Sequence, residues 1–171
     1  MRLLRIPEPF DHPDFLFGPK LDGFRALAHI DGHRCTLVSR NGNTFMSWPQ
    51  LCEELAHAVR CKSAVVDGEI CCVDPDGRTN FNRLLFRRDW PFFYAFDLLM
   101  LNGRDLRALP LTERKRRLAT IMPELRAGCC FSTASRSAGA ICSALRVSAI
   151  WKASWPSASS IPIYWTEVLV G

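Results

Sequence analysis

The sequence of 171 residues has no long hydrophobic run. Its longest nearly uncharged apolar stretch extends from Pro91 to Leu101 and contains Asp97, so it is shorter than the ~20 apolar residues of a membrane helix. Residues 1–9 lack the apolar stretch of a signal peptide. We therefore expect a cytoplasmic protein that does not bind membranes; we also expect a monomer.

The sequence also lacks a Cys-x-x-Cys motif, although it contains eight cysteines. Without that spacing, zinc sites and thioredoxin-like sites lose their usual geometry, and we expect reduced cysteines that behave as small apolar residues. With 48% apolar and 23% charged residues, the composition is that of a globular domain and excludes collagen-like, disordered and coiled-coil proteins. The net charge of +5 permits a polyanionic partner without requiring one.

Turn dipeptides such as Asn41-Gly42 and Asp76-Gly77 divide residues 1–127 into β-prone runs. We predict strands near 14–20, 24–30, 34–39, 64–73 and 92–101. Three helices are predicted: one from 48 to 59 capped by Ser47, a short one opened by Thr79 or Asn80, and one capped by Thr112. Antiparallel strands with helices packed on them predict an α+β fold.

The most informative segment is Lys20-Leu21-Asp22-Gly23-Phe24-Arg25, which matches the pattern Lys-x-Asp-Gly-x-Arg. Three further segments follow in order: Ser39-Arg40-Asn41-Gly42, Val65-Val66-Asp67-Gly68-Glu69-Ile70 and Tyr94-Ala95-Phe96-Asp97-Leu98. A hairpin turn with surface charges would explain the first segment alone, but not the ordered series. Over residues 9–127 the chain resembles the adenylation domain of bacterial-type ATP-dependent DNA ligases.

This resemblance implies an ATP-grasp-like fold shared with mRNA capping enzymes, built on antiparallel sheets with flanking helices. It implies that Lys20 is the nucleophile that carries AMP and that Arg25 and Glu69 contact the ribose side. It further implies that Arg40 reaches phosphate, that Phe96 stacks on adenine and that Glu69 also binds Mg²⁺. ATP and Mg²⁺ would be the cofactors, and nicked double-stranded DNA in repair or recombination would be the substrate.

Simpler interpretations remain for several of these residues. Arg40 would also suit an ordinary hairpin, and Phe96 would also suit a core position on one strand face with Tyr94 and Leu98. Asp67 and Glu69 are two residues apart on one strand face, where two buried carboxylates require a metal ion or a basic partner.

Two features depart from the family pattern. Gly18 occupies the position of a glutamate that reads the adenine amino group in the family. Residues 128–171 contain nine serines, three of the five tryptophans and one acidic residue, Glu167, and no family motif is visible there. We therefore expect residues 1–127 to form the N-terminal part of the adenylation domain and 128–171 to be a poorly ordered tail.

A reading-frame shift near codon 128 would explain this tail. In the alternative frame, Trp151-Lys152 must encode glutamate and Trp155-Pro156 must encode alanine, because tryptophan has a single codon. The intervening codons permit Glu-Gly-Ile-Val-Ala-Lys, which resembles the missing strand motif of the family. The sequence thus predicts a ligase that is truncated or frameshifted and has little or no activity.

Two other functions stay open. An RNA ligase or a GTP-using capping enzyme shares the lysine motif. A non-catalytic remnant that binds nucleic acid would need no nucleophile at all.

Overall fold

The computed structural model of the chain describes residues 16–19, 21–73, 79–122, 129–131 and 166–169. The strands are β1 (Leu16–Pro19), β2 (Phe24–Asp31), β3 (Arg34–Ser39), β4 (Ser63–Cys71), β5 (Phe92–Leu101), β6 (Arg104–Asp105), β7 (Cys129–Phe131) and β8 (Thr166–Leu169). The main sheet has the order β3-β2-β4-β5-β6, with β7 beside β5, and a separate two-stranded sheet pairs β1 with β8.

Three helices accompany the strands: α1 (Pro49–Ala58), α2 (Phe81–Leu85) and α3 (Leu111–Ile121). The predicted α+β fold with antiparallel strands and flanking helices is therefore confirmed. The Asn80 cap of α2 is also confirmed, since its side chain accepts a hydrogen bond from the Arg83 backbone N–H.

Two predicted helix caps are wrong. The N-cap of α1 is Trp48, and the Ser47 hydroxyl instead accepts a hydrogen bond from Arg87, 2.8 Å away. The N-cap of α3 is Pro110, because Leu111 is already helical and Thr112 lies inside the first turn. Pro110 itself cannot donate a hydrogen bond and suits a helix start.

The core lies on the face of the main sheet that α1 and α3 cover. Alternate residues of β2, Ala26, Ala28 and Ile30, point to this face and are buried, as the period of two in a strand requires. Leu55 of α1 and Leu118 of α3 join the same apolar cluster. The other face of β2 carries Arg25, Leu27, His29 and Asp31.

The pairing of β4 with β5 contains two irregularities. Val65 pairs with Met100 and Val66 with Leu98, so Leu99 is an extra residue; Asp67 pairs with Asp97 and Gly68 with Ala95, so Phe96 is another. Such bulges turn a side chain away from the regular alternation and are frequent beside functional sites.

Two short strands come from the segment that we expect to be out of frame. The strand β7 runs parallel to β5, with Cys129 beside Phe93, and β8 pairs antiparallel with β1, with Glu167 opposite Gly18. Residues 132–165 lie outside the described residues, so the division of the chain after residue 127 stays a prediction.

Candidate functional site

Arg25 and Asp67 form a two-point ion pair on the face of the sheet opposite the helices. Nε and Nη2 of Arg25 donate to Oδ1 and Oδ2 of Asp67, each over 2.6 Å. The Asp67 side chain is 11% exposed and that of Arg25 is 30% exposed. The carboxylate thus has the basic partner that its burial requires, as the sequence predicted.

Phe96 lies against the same guanidinium group. The Cζ atom of Arg25 is 4.9 Å from the centroid of the Phe96 ring, within the range of a cation–π contact. Phe96 is half-buried, whereas Leu98 is fully buried. The interpretation of Phe96 as a core residue in register with Leu98 is therefore wrong, because the bulge at Phe96 breaks the alternation of β5.

Glu69 completes the cluster. It is the cross-strand partner of Arg25 on β2 and of Tyr94 on β5, and it is half-buried. The structure thus brings together four of the residues that the sequence singled out: Arg25, Asp67, Glu69 and Phe96.

The carboxylates of the site determine whether it could hold Mg²⁺. Within the part of the chain that the structure describes, no three His, Cys, Asp or Glu side chains are grouped as a metal cage. Mg²⁺ at nucleotide sites needs only one or two carboxylates, because phosphate oxygens and water supply the remaining ligands. The Glu69 carboxylate beside the site therefore fits a magnesium ion that arrives with a nucleotide.

The glycines of two motifs are explained by close approaches of the backbone. A Cβ atom on Gly68 would overlap the Tyr94 carbonyl oxygen and lie 2.5 Å from Cζ of Phe93. A Cβ atom on Gly23 would overlap the Ile70 carbonyl oxygen. Only glycine lets the chain pass at these distances, and both positions set the spacing of the strands that carry the cluster.

Two other predicted site residues, Lys20 and Arg40, are not part of this cluster in the described structure. Lys20 lies outside the described residues, between the end of β1 and Leu21, while the backbone N–H of Asp22 donates to Oγ1 of Thr79 over 3.0 Å. Arg40 follows Ser39, the cross-strand partner of Ala26, and is exposed at the turn after β3. Arg40 thus lies at the same end of the sheet as Arg25, but it has no hydrogen bond to the described residues of the cluster.

Two basic residues of α3 also contact the site strand, and the sequence interpretation missed them. Arg114 donates to Asp97 through Nε and Nη2, both over 2.9 Å, and Nζ of Lys115 donates to the Phe96 carbonyl oxygen over 2.9 Å. The sequence does contain a signal for Lys115: its spacing from Leu111 and Leu118 places it on the apolar face of the helix.

The environment of Lys115 changes its acidity. Burial lowers the pKa of its ammonium group from 10.5 to about 8; the Asp97 carboxylate opposes this effect and the Arg114 guanidinium adds to it. Burial of the protonated Lys115 side chain therefore lowers the stability of the folded domain.

Among the described residues, no helix is both long enough and apolar enough to span a bilayer. Residues 5–140 match the family model "ATP dependent DNA ligase domain". The match covers most of the chain and includes all the motifs described above. The chain therefore belongs to the ATP-dependent DNA ligase domain family, as its motifs predicted.

The comparisons with individual proteins agree with this assignment. DNA ligase 2 of Methanosarcina acetivorans is 37% identical over 113 residues, which are 58% of this chain and 20% of the relative. The multifunctional non-homologous end joining protein LigD of Pseudomonas aeruginosa is 30% identical over 108 residues, 60% of this chain and 13% of the relative. The chain thus spans about a fifth or less of these two relatives.

A solved structure, a mycobacterial DNA ligase D complexed with ATP and MES, superposes with a TM-score of 0.62 at 29% identity. The superposition covers 77% of this chain and 44% of that one.

Proposed function

We propose that the chain is the nucleotide-binding part of an ATP-dependent DNA ligase and that Lys20 accepts AMP from ATP. The observation that carries this proposal is the cluster of Arg25, Asp67, Glu69 and Phe96, gathered on the strands that follow the lysine motif. An aromatic face, a carboxylate and a guanidinium group on one sheet face are suited to a base, a hydroxylated sugar and a phosphate.

In the proposed first step, Nζ of Lys20 attacks the α-phosphorus of ATP. A P–N bond forms, the bond to the β-phosphate oxygen breaks, pyrophosphate leaves, and the amine loses a proton to solvent. The AMP then passes to a 5′-phosphate at a nick in DNA. Attack by the neighbouring 3′-hydroxyl releases AMP and closes the strand.

We assign roles to the described residues from their chemistry. Phe96 offers a half-buried ring for stacking on adenine, and the Arg25 guanidinium contacts the same ring. Glu69 and Arg25 are cross-strand partners and reach the ribose side together. Arg40 is an exposed cation at the same end of the sheet and is suited to a phosphate.

The amine of Lys20 must be unprotonated to attack, yet the ordinary pKa of lysine is about 10.4. Arg25 contributes little net positive charge to the site, because its two-point pair with Asp67 neutralises it. A second positive charge is therefore needed, and Glu69 is the described carboxylate suited to hold Mg²⁺ there. When bound, Mg²⁺ would lower the pKa of the amine and offset the charge of the phosphates.

We expect the 171-residue chain to react only weakly. The family uses further lysines and a carboxylate to grip the triphosphate, and residues 128–171 carry none of those motifs. Each missing positioned cation typically costs ~10²-fold in a phosphoryl-transfer site. Faint self-adenylation and no detectable nick sealing are therefore the expected behaviour.

The test is incubation of the purified chain with ATP labelled on the α-phosphate, with Mg²⁺, followed by denaturing electrophoresis. The expected result is a faint protein-bound label that Lys20→Ala abolishes and that Lys62→Ala, a change at an exposed lysine, leaves intact. ATP labelled on the γ-phosphate should give no band, and GTP should not substitute for ATP. Label that persists in Lys20→Ala, or labelling by GTP alone, would contradict the proposal.

A further inference from the structure

Phe96 has an unusual backbone setting for a ligand-contacting residue. As the extra residue of a bulge it has no pairing partner on β4, so the strand ladder alone does not fix its position. A ring that must stack on a base within a few tenths of an ångström needs another support.

The helix α3 supplies that support on both sides of one peptide bond. Lys115 donates to the carbonyl oxygen of Phe96, and the next residue of the strand, Asp97, accepts hydrogen bonds from Nε and Nη2 of Arg114. The Asp97 carboxylate also accepts from the backbone N–H of Leu98 over 2.8 Å. Arg114 and Asp97 are almost fully buried, with side chains 12% and 9% exposed, so these contacts are shielded from water.

We propose that Arg114 and Lys115 are positioning residues that hold the Phe96 ring in place for the nucleotide base. This inference rests on the proposed function, because it assumes that Phe96 stacks on adenine. The contact chain runs from α3 through the backbone of the bulge to the ring, and from the ring to the guanidinium of Arg25.

A purely structural role does not account for Lys115. The residue lies between Leu111 and Leu118 on the buried face of α3, where an apolar side chain of the same length would pack without the cost of burying an ammonium group. A lysine here is expected to lower the stability of the domain, and among the described residues its ammonium group donates to the residue that carries the ring. That combination is typical of a group kept for the geometry of a site.

The decisive variant is Lys115→Met, which keeps the length of the side chain and removes its donor. We expect the full chain with this change to be as stable as the original or more stable in urea. We expect its affinity for ATP to fall about three- to tenfold, the order of effect of losing a charged hydrogen bond that fixes a contact. Inorganic tripolyphosphate has no base, so its affinity should not change.

Arg116→Met is the matched control, since Arg116 is the neighbouring residue and its side chain is 71% exposed. It should leave both affinities unchanged. Phe96→Ala should reproduce the loss for ATP alone, and the double variant Phe96→Ala with Lys115→Met should lose no more than Phe96→Ala does. Non-additivity of this kind indicates that the two residues act through one contact.

The outcomes separate this inference from the proposed function. If Phe96→Ala weakens ATP binding and Lys115→Met does not, the positioning role is wrong while the nucleotide site stands. An equal loss for ATP and tripolyphosphate in Lys115→Met would also overturn it, because that result indicates a general structural defect. If the unaltered chain does not bind ATP at all, the proposed function fails first.

Discussion

The ion pair between Arg25 and Asp67 should be energetically important to the fold as well as to the site. Replacing Arg25 with methionine keeps most of the side-chain volume but leaves a carboxylate that is only 11% exposed without its guanidinium partner. Exposed ion pairs contribute about 0–1 kcal/mol, and breaking a fully buried one costs about 3–5 kcal/mol. This pair is intermediate in burial, so we expect a coupling energy of about 2 kcal/mol.

The chain contains a matched control for this estimate. Arg107 and Asp105 make the same pair of residue types at the same 2.6 Å, but their side chains are 70% and 49% exposed. Solvent and salt screen such a pair, so its coupling should be much the smaller of the two.

Two double-mutant cycles, each measured by urea unfolding, give the two coupling energies. The cycle at the site combines Arg25→Met with Asp67→Asn. The control cycle combines Arg107→Met with Asp105→Asn. We expect Arg25→Met to cost more than Asp67→Asn, since it leaves the more deeply buried charge alone. Raising the salt concentration to 1 M should weaken the control pair more than the site pair. Equal couplings in the two cycles, or the reverse order of the single variants, would refute the reasoning.

Three further predictions follow from other parts of the molecule. Gly68→Ala should destabilise the domain by about 2–3 kcal/mol in urea unfolding, because its Cβ would overlap the Tyr94 carbonyl oxygen and press on the Phe93 ring, so both must shift. Gly103→Ala, at φ +80° with open space around it, tests backbone strain without a clash. Between pH 8 and 10.5 the unfolded chain holds a proton on Lys115 that the folded chain releases. The unfolding free energy of the original protein, relative to that of Lys115→Met, should therefore rise with pH by up to about 3 kcal/mol. A difference that does not change with pH would contradict this. Nucleotide sequencing around codon 128 should reveal an alternative frame that encodes Glu-Gly-Ile-Val-Ala-Lys, and a stop codon before that motif would exclude the frameshift.

The strands were predictable because their sequence signals are local. The turn dipeptides and alternating apolar residues placed β2, β3 and β5 within a residue of their observed ends. The helix caps were harder, because Ser47 and Thr112 are good capping residues in isolation. Tertiary contacts and the start of α3 at Leu111 overrode that preference.

The candidate site was likewise predictable from the sequence only in part. Spacing alone indicated that Asp67 and Glu69 share a face and need a cation, and Arg25 lies there. The bulge at Phe96 could not be predicted, since it depends on the register between β4 and β5 and has no sequence signal of its own. The contacts of Arg114 and Lys115 follow from that bulge, so the sequence offered only the basic residue at an apolar helix position.

The most direct test of the account is to map AMP on the protein. The chain and its frame-corrected form are incubated with ATP and Mg²⁺, digested, and analysed by mass spectrometry for a peptide that carries AMP on Lys20. We expect a trace of this adduct in the 171-residue chain and abundant adduct in the frame-corrected protein. Added pyrophosphate should remove the adduct, because pyrophosphate reverses the first step. Absence of the adduct in the frame-corrected protein, or AMP on a different residue, would contradict the assignment of Lys20 as the nucleophile.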